Sequence, residues 1–117
     1  MDKDLQDSTL LELLFWLLKL RRRYRVTGAS MSPHLAPNDE VLVDPRAYRG
    51  RPPQLNDIVV ARHPYKEGVQ IIKRIVSRQH DGRYLLEGDN PAESTDSRSF
   101  GTVSAAQILG QVTSRFP

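Results

Sequence analysis

There is no cysteine in this chain, and that one absence removes disulfides, zinc–thiolate centres and cysteine nucleophiles together. Lysine is nearly as scarce: of seventeen basic residues four are lysine and thirteen are arginine, so a lysine placed inside a hydrophobic segment stands out. No apolar run approaches the roughly 20 residues that a helix needs to cross a bilayer. The longest opens at Leu10, closes at Leu20 and carries Glu12 and Lys19. Helix-turn-helix spacing, zinc-finger spacing and aromatic–basic RNA signatures are missing. A net charge of +3 permits contact with an anionic surface without demanding nucleic acid, and none is expected as a partner. The histidines, His34, His63 and His80, are scattered at spacings that suit no metal site, so no cofactor is expected.

What is present fits one domain of 117 residues with a single modest core. Thr9 followed by Glu12 is a capping-box pattern, which predicts a helix from Leu10 to about Arg23. Residues 1–23 are therefore read as a tail and one short apolar helix, and residues 24–117 as the main domain. The helix has almost no polar face and wants burial or lipid. The positive charges of Arg21, Arg22 and Arg23 follow the apolar run rather than precede it, and no small-residue cleavage site follows, which argues against a removable signal peptide. Three readings stay open for residues 10–20: docking on protein, peripheral attachment at a membrane interface, or binding of a partner.

From Tyr24 onward the pattern changes to short β-type runs, at 24–27, 40–44, 57–63, 69–78, 83–87 and 108–114, separated by Pro, Gly, Asn and Asp clusters. Asp81-Gly82 is a hairpin signal. The fold class predicted is mainly β, a curled sheet or partly open barrel behind one N-terminal helix. The basic, proline-rich loop 45–53 is expected to be exposed and mobile.

The stretch Val26-Thr27-Gly28-Ala29-Ser30-Met31-Ser32-Pro33 reads as a turn. Pro33 restricts the backbone of Ser32, and Gly28 admits geometry closed to other residues. A serine fixed in such a turn presents both its hydroxyl and its own N–H in a set direction, as a nucleophile with a backbone oxyanion donor requires. It needs a base. His34 is expected to face solvent, His63 ends a strand and His80 lies in a hairpin turn. Among the lysines, Lys73 alone falls inside an aliphatic strand, and alternation puts it on one face with Val69, Ile71 and Ile75. There it either snorkels to water along its own stem or loses hydration, and a desolvated lysine favours its neutral, proton-accepting form. Arg74 faces the other way and suits an ion pair. The loop running from Gly88 to Gly101 is dense in residues that tie backbone and side chains together.

Three segments thus stand in order: Gly28-x-Ser30-Met31-x-Pro33, then Ile72-Lys73-Arg74-Ile75-Val76, then Gly88-Asp89-Asn90 with Ser94-x-Asp96-Ser97-Arg98 and Gly101 behind it. With Asn56-Asp57-Ile58-Val59-Val60 ahead of the lysine, they resemble the signal-peptidase family of Ser/Lys serine proteases over about residues 24–114. The resemblance implies the β-rich catalytic fold shared with self-cleaving SOS repressors. It implies Ser30 as nucleophile and Lys73 as general base, Ser94 as the hydroxyl that orients the lysine, and Asp96 with Arg98 as a supporting ion pair. The oxyanion donor implied is the Ser30 N–H, framed by Ala29 and Met31; Gly28 stands where some members add a side-chain hydroxyl. The implied partner is a precursor protein with an N-terminal leader.

Two departures bear on the substrate: general signal peptidases carry a full transmembrane anchor and a longer insert, and this chain shows neither. The compact Arg-Tyr-Arg-Val-Thr-Gly-Ala-Ser-Met run looks most like the proteases that mature nickel-type superoxide dismutase, which implies a cytoplasmic enzyme with peripheral membrane contact at most. The alternatives are a small signal peptidase acting on exported proteins and a self-cleaving regulatory domain. Against the latter, only 29 residues precede Ser30.

Overall fold

The computed structural model describes residues 5–93 and 97–117. Its strands are Arg22–Arg25 (β1), Glu40–Asp44 (β2), Ile58–Arg62 (β3), Gln70–Arg78 (β4), Tyr84–Glu87 (β5) and Ile108–Arg115 (β6). They form one sheet in the order β1-β2-β6-β3-β4-β5, antiparallel throughout. The two edges, β1 and β5, do not meet, so the sheet is open, as the mainly β reading expects.

β3 explains how the core is divided. Its run Ile-Val-Val-Ala is apolar without alternation because both faces are covered. Ile58 and Val60 pack with Val26, Met31, Leu35, Val41, Val43 and Val112 on one face. Val59 and Ala61 pack with Ile75, Tyr84, Leu86, Phe100 and Val103 on the other. At the sheet centre Gly110 lies opposite Val60. A Cβ there would come within 2.7 Å of the Asp44 carbonyl oxygen and 2.8 Å of Val43 Cγ1, so only glycine lets β2 approach this closely.

The hairpin at Asp81-Gly82 forms as expected, with Gly82 at φ +82° and its N–H bonded to the Gln79 carbonyl. Two expectations are corrected. The first helix, Leu10–Leu17 (α1), does not continue to Arg23. It stops because Lys19 adopts φ +63° while the N–H groups of Lys19 and Leu20 close back on the carbonyls of Trp16 and Phe15, a left-handed helix end. The arginines beyond it pair with β2 instead, Arg22 opposite Val43 and Arg25 opposite Glu40, so the first strand begins two residues earlier than the sequence pattern implied. The loop 45–53 is also tied down rather than loose. The Tyr48 hydroxyl donates to Asp57 Oδ2 at 2.7 Å, and Arg51 donates to Gln111 at 2.9 Å.

α1 starts where the capping pattern put it, with Thr9 accepting from the Glu12 N–H at 3.2 Å. The Glu12 side chain does not return the bond to the helix. It is 6% exposed, turns towards the sheet and accepts from Arg21, Thr113 and Ser114. Trp16 meets Phe116 edge-on at 4.8 Å, and the Arg23 guanidinium covers Phe116 at 4.4 Å. The helix is therefore docked on protein through its one acid and its aromatics, while Leu10, Leu11, Leu14 and Leu17 stay exposed.

Candidate active site

β5 pairs with β4 only from Arg74 onward. Among the described residues, the first half of β4 carries a strand on its β3 side alone. The turn around Ser30 sits beside that half. Val26 fixes its entrance by exchanging backbone hydrogen bonds with Asp39 and Asn38. Met31 and Leu35, both fully buried, clamp its underside into the first core cluster. Gly28 takes φ +74°, the left-handed conformation that the sequence reserved for it, and the Ser32–Pro33 peptide is cis. With Met31 anchored below, Ser30 turns towards β4.

There it meets Lys73. The Nζ of Lys73 lies 2.8 Å from Ser30 Oγ, a hydrogen bond between residues 43 apart in sequence. Lys73 is only 5% exposed, so it does not snorkel to water. Its neighbours Ile71 and Ile75 pack in the second core cluster, as alternation required. Removing an ammonium from water disfavours the charged form, and the Ser30 hydroxyl lies within hydrogen-bond reach of the amine. A neutral amine in this position can accept the Ser30 proton; a charged one can only donate to it.

The turn and the Gly88–Asp89–Asn90 loop are stitched together. The Asn90 N–H donates to the Ser30 carbonyl at 2.8 Å, and Asn90 Nδ2 donates to the Ala29 carbonyl at 3.2 Å. Asp89 is held in turn by a two-pronged bond from Arg74, Nε and Nη2 each 2.9 Å from a carboxylate oxygen, while Arg74 Nη1 reaches the Asn56 carbonyl. Arg74 thus forms the ion pair anticipated for it. His34, expected to face solvent, instead places Nδ1 2.7 Å from Asp89 Oδ2, a hydrogen bond only when Nδ1 carries a proton. That contact and the double grip of Asn90 were not anticipated; the Gly-Asp-Asn triplet pointed to the loop but not to what it holds.

Two shallow clefts open on either side of the serine. One, about 270 Å³, is lined by Arg25, Thr27, Met31, Gln70 and Ile72 as well as the Ser30–Lys73 pair. The other, about 260 Å³, runs past Gly28, Ala29, His63 and Lys66. His63 Nδ1 accepts the N–H groups of Tyr65 and Lys66, which shapes the loop on that side. Burial, and after it the charge of Lys66, push the His63 imidazole below its ordinary value. His80 is exposed in the hairpin turn. Arg98 lies 3.6 Å from Glu87, and the anticipated Ser94 and Asp96 fall outside the described residues.

Comparison with known proteins adds a second line of evidence to this geometry. The model of the signal peptidase family, peptidase S26, matches residues 8–81 and 78–116. The chain belongs to that family. Family members are serine endopeptidases. Subunit 1 of the mitochondrial inner membrane protease of Xenopus tropicalis is 33% identical over 108 residues, covering 76% of this chain and 65% of that protein. Subunit 2 from Danio rerio is 33% identical over 110 residues, covering 76% of this chain and 60% of that protein. Signal peptidase I of Aquifex aeolicus is 32% identical over 72 residues, 62% of this chain and 28% of that protein. The chain therefore spans less than two thirds of the length of these relatives. No helix among the described residues is long and apolar enough to cross a membrane.

Proposed function

We propose that this chain is a Ser/Lys serine endopeptidase that removes an N-terminal leader from a precursor protein. The observation that carries the reading is the buried 2.8 Å contact between Lys73 Nζ and Ser30 Oγ beside two open clefts. Neutral Lys73 takes the proton as Ser30 Oγ bonds to the scissile carbonyl carbon. The oxyanion forms against the Ser30 N–H, with Thr27 or a neighbouring N–H as the second donor. The Lys73 ammonium then protonates the departing amine, which leaves an acyl ester on Ser30. Water, deprotonated by the same lysine, attacks that ester, and the proton returns to Ser30 as the leader is released. Ala29 and Met31 frame the turn. Ser94 orients the lysine, and Asp96 with Arg98 supports the loop that carries it.

The relatives, an inner membrane protease and a signal peptidase, favour a precursor presented at a membrane. The nickel superoxide dismutase precursor, processed in the cytoplasm, is the narrower candidate, and it rests on the run leading into Ser30. Incubation with each precursor, read by mass spectrometry of the new N-terminus, separates the two. A single leader cut made by wild type and absent with Ser30→Ala supports the reading. Equal cutting by both proteins refutes it.

A further inference from the structure

The two clefts beside Ser30 differ in the face of the sheet they use and in charge. Val60 and Ile72, partners across β3 and β4, line the first together with Met31. Val69 and Ile71, one residue out of phase with Ile72, line the second. Besides Lys73, the cation of the first cleft among the described residues is Arg25, and its guanidinium lies 3.5 Å from Glu40. In the second cleft the exposed Lys66 takes that place, and no carboxylate among the described residues lines it. Glu67, next in sequence, lines a neighbouring cavity that it shares with Arg62 and Lys66.

Lys66 is carried on a loop that closes on itself. The His63 N–H donates to the Val69 carbonyl at 2.8 Å, and the Val69 N–H donates to the Lys66 carbonyl at 3.2 Å. Gly68 takes φ +76°, and His63 Nδ1 accepts the Tyr65 and Lys66 N–H groups from within the turn. The His63 ring meets Phe100 at 4.8 Å between centroids, which ties the loop to the second core cluster. The backbone of Lys66 is thus fixed beside a cleft with an aliphatic wall. A peptide chain laid along the open edge of β4 points successive side chains to opposite faces. The side chain next to one that enters the first cleft is therefore delivered to the second. There an ammonium beside Val69 and Ile71 suits a carboxylate on a short apolar stem. Building on the peptidase reading above, we propose that the cleft lined by Lys66 is a subsite for an acidic side chain, aspartate or glutamate, adjacent in the precursor to the residue that is cut. Lys66 is then the residue that sets this preference. Its charge also offsets the effect of the acid on Lys73, whose neutral form takes the Ser30 proton.

The test is an NMR titration of isotope-labelled Ser30→Ala protein, which lacks the nucleophile, with short alanine–serine–glycine peptides that carry one Asp or one Asn at each position in turn. Affinity is read from the Ala29 and Lys66 amide shifts. The Asp peptide should bind about threefold to fivefold more tightly than its Asn counterpart at one position, or at two of like parity. The difference should shrink at high salt. Adding Lys66→Gln should erase it, and adding Lys66→Glu should turn the preference towards a Lys peptide, with the amide spectrum of the sheet unchanged. In protein with Ser30 intact, the same ratio should carry over to KM with kcat little changed. Equal binding of Asp and Asn peptides at every position, no binding of any peptide, or an Asp preference that survives Lys66→Gln overturns the proposal. Asp-selective binding without any cutting by wild type refutes the peptidase reading and leaves the subsite standing; cutting without Asp selectivity does the reverse.

Discussion

Arg74→Met tests how far the loop behind the serine depends on a single buried charge. Arg74 is 3% exposed and donates three bonds of 2.9 Å, two to Asp89 and one to the Asn56 carbonyl. Removing one partner of a buried ion pair costs about 3–5 kcal/mol, most of it from the charge left behind. Two features hold the cost to the lower end: His34 stays 2.7 Å from Asp89, and the Asp89 side chain keeps 11% exposure. The expected loss is about 3 kcal/mol, from a total of about 6–18 kcal/mol for a domain this size. The variant should therefore fold, with a urea midpoint lower by about 1.5 M at a slope near 2 kcal/mol/M. Adding Asp89→Asn should recover about half of that shift, because the orphaned carboxylate is gone. A shift below about 0.5 M, or a double variant no more stable than Arg74→Met, would refute the reasoning.

Three further outcomes follow from the same geometry. Asn90→Ala gives up the bond to the Ala29 carbonyl but keeps its own N–H on Ser30; the loss of about 1 kcal/mol should appear as a roughly fivefold fall in kcat with KM little changed, and an unchanged kcat would count against a positioning role. Gly110→Ala drives a methyl group into the Asp44 carbonyl and Val43; it should cost about 1–3 kcal/mol in urea unfolding, and a neutral result would mean β2 can move aside. His63 has a folded value below its unfolded one, so the unfolded chain binds more protons as pH falls. Its contribution to stability is present above about pH 6.5 and is lost as pH drops through the folded value. Hydrogen exchange at the Tyr65 and Lys66 amides, which its Nδ1 accepts, should speed up relative to the intrinsic rate between pH 7 and pH 5; constant protection would contradict this.

Local chemistry made much of the sheet legible. The unbroken apolar run of β3 and the Asp81-Gly82 turn leave few alternatives, and both fall where the pattern puts them. The end of α1 was not legible, because arginines after a leucine run read as a helix's last turn. Pairing of Arg22–Arg25 with β2 and the left-handed Lys19 override that preference. The rotation of α1 was equally hidden: a helix apolar nearly all round does not say which face is buried, and the Thr113 and Ser114 that decide it lie 101 and 102 residues away from Glu12. At the candidate site, local pattern singled out Ser30 and Lys73 but left Lys73 between solvent and burial; the resemblance to a known family, not either segment alone, is what joined the two. The His34–Asp89 contact joins two segments that become neighbours only when the sheet forms, and nothing in either one announces it.

The account turns on whether Lys73 accepts the Ser30 proton, and single-turnover cleavage by Lys73→Met addresses that directly. Methionine fills a similar volume without a basic nitrogen, so the urea midpoint shows whether the fold is kept. With the fold intact, the rate should fall by about 10²–10⁴, the usual contribution of a general base, and Ser30→Ala should fall at least as far. A folded Lys73→Met protein that cuts the leader at the wild-type rate would contradict the dyad, whatever the 2.8 Å contact suggests.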